Sequence, residues 1–119
     1  MNLNSAVLAY LGDAVYELYI RNKLIEKNIV KIEELNKEAI NYVSANNQSK
    51  ILNILIEKNI LTEQEIEIVK HARNNKRTYH PKNTDIITYK YATGFEALIG
   101  YLYLEDKDRL EEILKNIEV

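Results

Sequence analysis

The chain has 119 residues, the size of one small domain with a single core. It contains no cysteine, which excludes a disulfide scaffold, a thiolate zinc site, an iron–sulfur centre and a cysteine nucleophile. Apolar residues make up 46% and charged residues 29%, and 16 basic against 18 acidic residues leave a formal net charge of -2, so the whole-chain charge points to no nucleic-acid partner. No apolar stretch is long enough to span a bilayer, and Met1–Ser5 lacks the basic start of a signal peptide. Residues 1–119 are therefore expected to form one domain of a cytoplasmic protein without a membrane segment.

Helical periodicity runs through the chain, and no alternating apolar pattern bounded by turn residues suggests a strand. The first helix is expected over Asn4 to Lys27, with Val7, Leu8, Leu11, Val15, Leu18 and Ile25 on one broad inward face. A second carries Ile32, Leu35, Ala39, Ile40 and Val43. A third follows a start signal at Ser44 and turns Ile51, Leu52, Leu55 and Ile56 inward. Thr62-Glu63-Gln64-Glu65 is a capping box that opens a fourth, with Ile66, Val69 and Ala72 on its apolar side. A fifth is expected from Tyr91 to Leu104, and a sixth from Asp106 with Leu110, Ile113, Leu114 and Ile117 in one stripe. The phrase Glu-Lys-Asn-Ile occurs at 26–29 and again at 57–60, each time reading as a helix that stops at Lys with Asn in a left-handed conformation. The fold class is all-α, a helical bundle with short connections.

The stretch from Val69 to Lys90 breaks this pattern. It holds six basic residues against one acid, Asp85, while the rest of the chain has ten against seventeen. Asn, Thr and the single proline between Asn74 and Thr84 mark a loop. Arginine forks and lysines here suit phosphate oxygens, and the asparagines suit sugar edges. The candidate phosphate and sugar contacts are Arg73, Asn74, Lys76, Arg77, Lys82 and Lys90. His71 and His80 lack zinc-site spacing and read as surface residues.

Two helices share an unusual design. Asp13 beside Gly12, and Glu96 close to Gly94, are single carboxylates in otherwise apolar stretches. A buried carboxylate is costly unless it is paired, and a helical glycine suggests close backbone approach. If the helices cross at Gly12 and Gly94, Asp13 and Glu96 face each other, and two facing acids need a proton or a cation between them. Oxygen-only ligands favour Mg2+. The plain structural alternative is a core ion pair with Arg21 or Lys90. Glu17, one turn after Asp13, reads as a solvated acid.

At these helices the chain resembles the catalytic domain of the ribonuclease III family. Leu11-Gly12-Asp13-Ala14-Val15 matches the core of its first motif, and Phe95-Glu96-Ala97-Leu98-Ile99-Gly100 its second. The likeness extends over essentially the whole chain through Tyr42-Val43-Ser44-Ala45, Ala72-Arg73-Asn74 and Pro81-Lys82-Asn83-Thr84-Asp85. It is nearest to the family's short form, which lacks a double-stranded-RNA-binding domain. The resemblance implies a homodimeric endonuclease that hydrolyses double-stranded RNA with Mg2+, leaving 5′-phosphate ends, with Asp13 and Glu96 as catalytic, metal-binding acids. It also implies maturation of the large-subunit (23S) ribosomal RNA precursor, with a ribosomal protein or pre-ribosome as context. Two further acids of the full-length family are replaced here by Ala9 and Thr93, so one firmly held Mg2+ is expected, with a second recruited partly by substrate phosphate. The apolar helices around Tyr10 and Tyr101 are candidates for the dimer contact. The rival reading is a non-catalytic dimeric double-stranded-RNA-binding module of the same fold.

Overall fold

A computed structural model describes residues 4–74 and 85–119. Six helices lie within them: α1 (Ser5–Glu26), α2 (Ile32–Val43), α3 (Ala45–Glu57), α4 (Glu63–Arg73), α5 (Ile86–Glu105) and α6 (Lys107–Leu114), with no strand among the described residues. None of these helices is long and apolar enough to cross a membrane.

Helix α5 is the central strut, because its sequence is apolar on nearly every side. It packs against α1, α3, α4 and α6 and buries Phe95, Leu98, Ile99 and Leu102 completely or nearly so. Phe95 meets Tyr16 of α1 edge-on, with ring centroids 5.0 Å apart. Each such ring contributes about 2–3 kcal/mol through its burial. The Tyr16 hydroxyl donates to the Tyr42 carbonyl at 3.1 Å, which ties α2 to the core although α2 buries no residue fully.

Helix ends follow local chemistry. Asn4, Ser44, Thr62, Asp85 and Asp106 each cap a helix by accepting from a backbone N–H, and Thr62 with Glu65 forms the full capping box. Asn28 and Asn59 sit at φ 66 and 56, the left-handed stops expected from the repeated phrase. The start of α5 differs from the sequence expectation. It begins at Ile86, five residues before Tyr91, because Asp85 accepts from both the backbone N–H and the hydroxyl of Thr88. The one acid of the basic stretch is thus a helix cap.

The buried face of α1 is also corrected. The residues turned inward are Ala9, Gly12, Tyr16, Ile20 and Leu24, whereas Val7, Leu18 and Ile25 are exposed. Apolar residues surround this helix, so periodicity alone does not orient it. The small side chains of Ala9 and Gly12 let α5 come close, and that selects the face. In α2, Ile32 and Ile40 are likewise exposed while Leu35, Ala39 and Val43 pack inward.

The expected inward stripes of α4 and α6 are as read. What joins these two helices is a polar link that no local pattern announces. Arg109 donates to both carboxylate oxygens of buried Glu65, at 2.7 and 2.8 Å, and to the Ile60 carbonyl at 2.7 Å. The Arg109 guanidinium and the capping-box bonds hold the Glu65 carboxyl below its usual range.

Candidate active site

The site forms where α1 crosses α5. A β-carbon at Gly12 would collide with the Glu96 carbonyl oxygen and lie 2.8 Å from the Gly100 nitrogen, and one at Gly100 would collide with the Leu8 carbonyl oxygen. The crossing is therefore made by Gly12 and Gly100, not by Gly12 and Gly94 as the sequence suggested. Gly94 instead seats α5 on α4, where a β-carbon would stand 2.9 Å from the Val69 carbonyl oxygen. The outcome for the acids is the expected one, since Gly12 rests on the backbone of Glu96 itself. Asp13, the next residue, brings its carboxylate within hydrogen-bonding range of the Glu96 carboxyl.

The two acids differ in surroundings. Asp13 is exposed, and Glu96 is half-buried. Burial pushes the Glu96 carboxyl up to about 8, reinforced by the hydrogen bond to Asp13 and the negative charges of Asp13 and Glu17. Only Gln48 opposes this shift, its Nε2 donating to Glu96 Oε2 at 3.3 Å. The ion-pair alternative is not what the fold adopts. Arg21 pairs with Glu17 at 2.6 Å, and among the described residues no lysine or arginine is paired with Asp13 or Glu96.

The two positions where the full-length family has further acids offer no ligand. Ala9 is buried against Ala72 and Ala97. Thr93 spends its hydroxyl on the Tyr89 carbonyl at 2.9 Å. Among the described residues, no group of three or more His, Cys, Asp or Glu side chains could cage an ion. Two neighbouring carboxylates, with no lysine or arginine paired to them among the described residues, fit a hydrated divalent ion instead, because Mg2+ keeps several waters and takes one or two carboxylates.

Of the expected RNA contacts, three are described. Arg73 ends α4 and lies over the Tyr91 ring, 5.5 Å from its centroid, and donates to the Tyr91 hydroxyl at 3.4 Å and to Asn74 Oδ1 at 3.3 Å. Asn74 is the exposed C-cap of α4, and Lys90 adjoins Tyr91 on α5. Tyr91 precedes Glu96 by five residues, about 7.5 Å along a helix axis. Lys76, Arg77 and Lys82, and with them His80, lie outside the described residues. His71 is exposed, and its Nδ1 is 2.9 Å from the buried Ser5 hydroxyl, which fastens α4 to the first turn of α1.

Sequence reading missed Gln48. Its signal is a polar residue on an apolar stripe, since 48, 52 and 55 share the inner face of α3 and Leu52 and Leu55 are fully buried.

The model of the Ribonuclease III domain matches residues 6–107, and the chain belongs to the ribonuclease III family of endoribonucleases. Its relatives include the "Mini-ribonuclease 3" proteins of Streptococcus pneumoniae, 44% identical over 94% of this chain and 88% of that one, and of Brevibacillus brevis, 49% identical over 94% and 83%. Within the family it thus stands in the short Mini-ribonuclease 3 branch. A crystal structure of a Fusobacterium nucleatum protein superposes with a TM-score of 0.83 at 36% identity, covering 95% of this chain and 91% of that one.

Proposed function

We propose that this protein is a Mg2+-dependent endonuclease of double-stranded RNA that works as a homodimer in the cytoplasm, on the precursor of large-subunit (23S) ribosomal RNA. The observation that carries the reading is the meeting of Asp13 and Glu96 without a neutralising lysine or arginine among the described residues. Asp13 and Glu96 are the groups that would hold the cation. When bound, a divalent ion would polarise a phosphoryl oxygen and make a bound water more acidic and so a better nucleophile.

The chain's own side chains divide the remaining work. Exposed Asp13 meets solvent and substrate, while Glu96, anchored by Gln48, is fixed from the protein side. Arg73, hydrogen-bonded to the Tyr91 hydroxyl and to Asn74, offers a planar fork to phosphate oxygens, with Lys90 next to Tyr91 in sequence. Lys76, Arg77 and Lys82 add cations to the same stretch of sequence. Such contacts read an A-form duplex by shape and backbone, not by base sequence.

Dimerisation is supported by the outward side of α1, where Tyr10 is 84% exposed and Leu18 62%. A row of large apolar residues on a helix is costly to leave in water and marks an interface. The ribosomal substrate, with a ribosomal protein or pre-ribosome as context, rests on the likeness to the Mini-ribonuclease 3 proteins. Incubation of a long RNA duplex with wild type, Asp13→Asn and Glu96→Gln tests the enzyme reading. Mg2+-dependent cleavage by wild type and none by either variant is expected. Duplex binding by all three with cleavage by none would leave the binding-module reading standing instead.

A further inference from the structure

Gln48 carries a feature that the site as described so far does not use. It is 2% exposed, and its Oε1 is the one buried side-chain oxygen or nitrogen without a hydrogen-bond partner among the described residues. The orientation of the amide is settled by chemistry. Its Nε2 lies 3.1 Å from the Val43 carbonyl oxygen, which can only accept, so the nitrogen must point there and the oxygen away. The same Nε2 reaches Glu96 Oε2 at 3.3 Å. One amide is thus clamped to the end of α2, holds the less accessible acid of the pair, and leaves an unsatisfied acceptor beside it. Buried acceptors are seldom left unpaired, and a lone one next to an acid pair marks the place of an absent donor.

We propose that Gln48 is a positioning residue of the cation site, which holds Glu96 through Nε2 and accepts through Oε1 a hydrogen bond from water that enters with a divalent ion. The inference rests on the two-acid reading above and deepens it. It also accounts for a glutamine on the inner stripe of α3, alongside apolar neighbours at 52 and 55. Gln48→Met keeps the length but removes both functions. It removes the orphaned Oε1 and orphans the Val43 carbonyl, while the half-buried Glu96 oxygen that loses its donor can turn to water, so the metal-free fold is left about as stable as before. Partners of metal ligands typically account for about 10- to 100-fold in metal affinity.

The test is calorimetry of Mn2+ binding to the whole chain without RNA, with melting temperatures in chelator. Wild type, Asp13→Asn, Gln48→Met and Gln48→Glu are compared. Wild type is expected to bind and Asp13→Asn to lose binding. Gln48→Met is expected to bind about 10- to 100-fold more weakly at an unchanged metal-free melting temperature. Gln48→Glu, which restores an acceptor oxygen, recovers part of that loss. Wild-type affinity in Gln48→Met overturns the role of Gln48 and leaves the two-acid site intact. A melting temperature that drops together with affinity, with no recovery in Gln48→Glu, makes Gln48 a packing residue and overturns the proposal equally. Failure of the wild type to bind removes the two-acid reading and the role of Gln48 with it.

Discussion

Glu96→Gln should make the metal-free protein more stable, by an amount that grows with pH. The folded chain keeps the Glu96 proton up to a pH of about 8, against a usual value of 4.5. Between these values the native state binds more protons than the unfolded one, so rising pH favours unfolding. At pH 7 the ionisable side chain costs the fold about 3 kcal/mol, from 1.36 kcal/mol per pH unit above 4.5. The cost levels off above pH 8. Glutamine has the same shape, carries no charge and can still accept from Gln48 Nε2. Differential scanning calorimetry of both proteins in chelator, from pH 5 to 9, measures the difference. Near pH 5 the two should differ by only a few °C, and by pH 8 the variant should melt higher, by on the order of 10 °C. Saturating Mg2+ at pH 8 should raise the wild-type melting temperature and leave the variant's unchanged, since only the native wild type offers a site. Parallel melting curves at every pH, or a variant less stable than wild type at pH 8, would refute the burial and crowding of Glu96.

Gly12→Ala places a methyl group against the Glu96 backbone, where neither helix can yield cheaply. It should cost about 3 kcal/mol in urea denaturation and abolish cleavage even when folded, because it pushes Asp13 from Glu96. Arg109→Met leaves buried Glu65 unpaired and should cost about 3 kcal/mol, the low end for a broken buried pair because the arginine side chain is 23% exposed. Its deficit should shrink in acid, since a lowered carboxyl stabilises the fold above its unfolded pKa and loses that effect as pH falls through its folded one. Tyr10→Asp should convert a dimer to a monomer in sedimentation while far-ultraviolet circular dichroism stays unchanged, given the exposure of that side chain. Arg73→Ala should weaken duplex binding and flatten its salt dependence by roughly one released counterion.

How much of this is legible in the sequence depends on the range of the interaction. Caps and stops are local, so the Thr62 box and the left-handed Asn28 and Asn59 can be read directly. The Asp85 cap escaped because it lies in a stretch dominated by opposite charge. The face of α1 was misjudged because that helix is apolar all round, and the choice between faces is made by contact with α5. The acid pair was legible through two isolated carboxylates beside glycines, although the glycine facing Gly12 is Gly100. Gln48 and Arg109 act across 48 and 44 residues of chain, and no spacing rule connects them to Glu96 and Glu65.

The central claim is that Asp13 and Glu96 hold one divalent cation between them. An anomalous-difference map from a crystal equilibrated with Mn2+ tests it most directly. The account predicts a peak bridging the two carboxylates, with the remaining coordination filled by water and Gln48 Oε1 within hydrogen-bonding distance of one of those waters. An empty cleft at saturating Mn2+, or a peak held by other side chains while Asp13 and Glu96 stay bonded to each other, would contradict it.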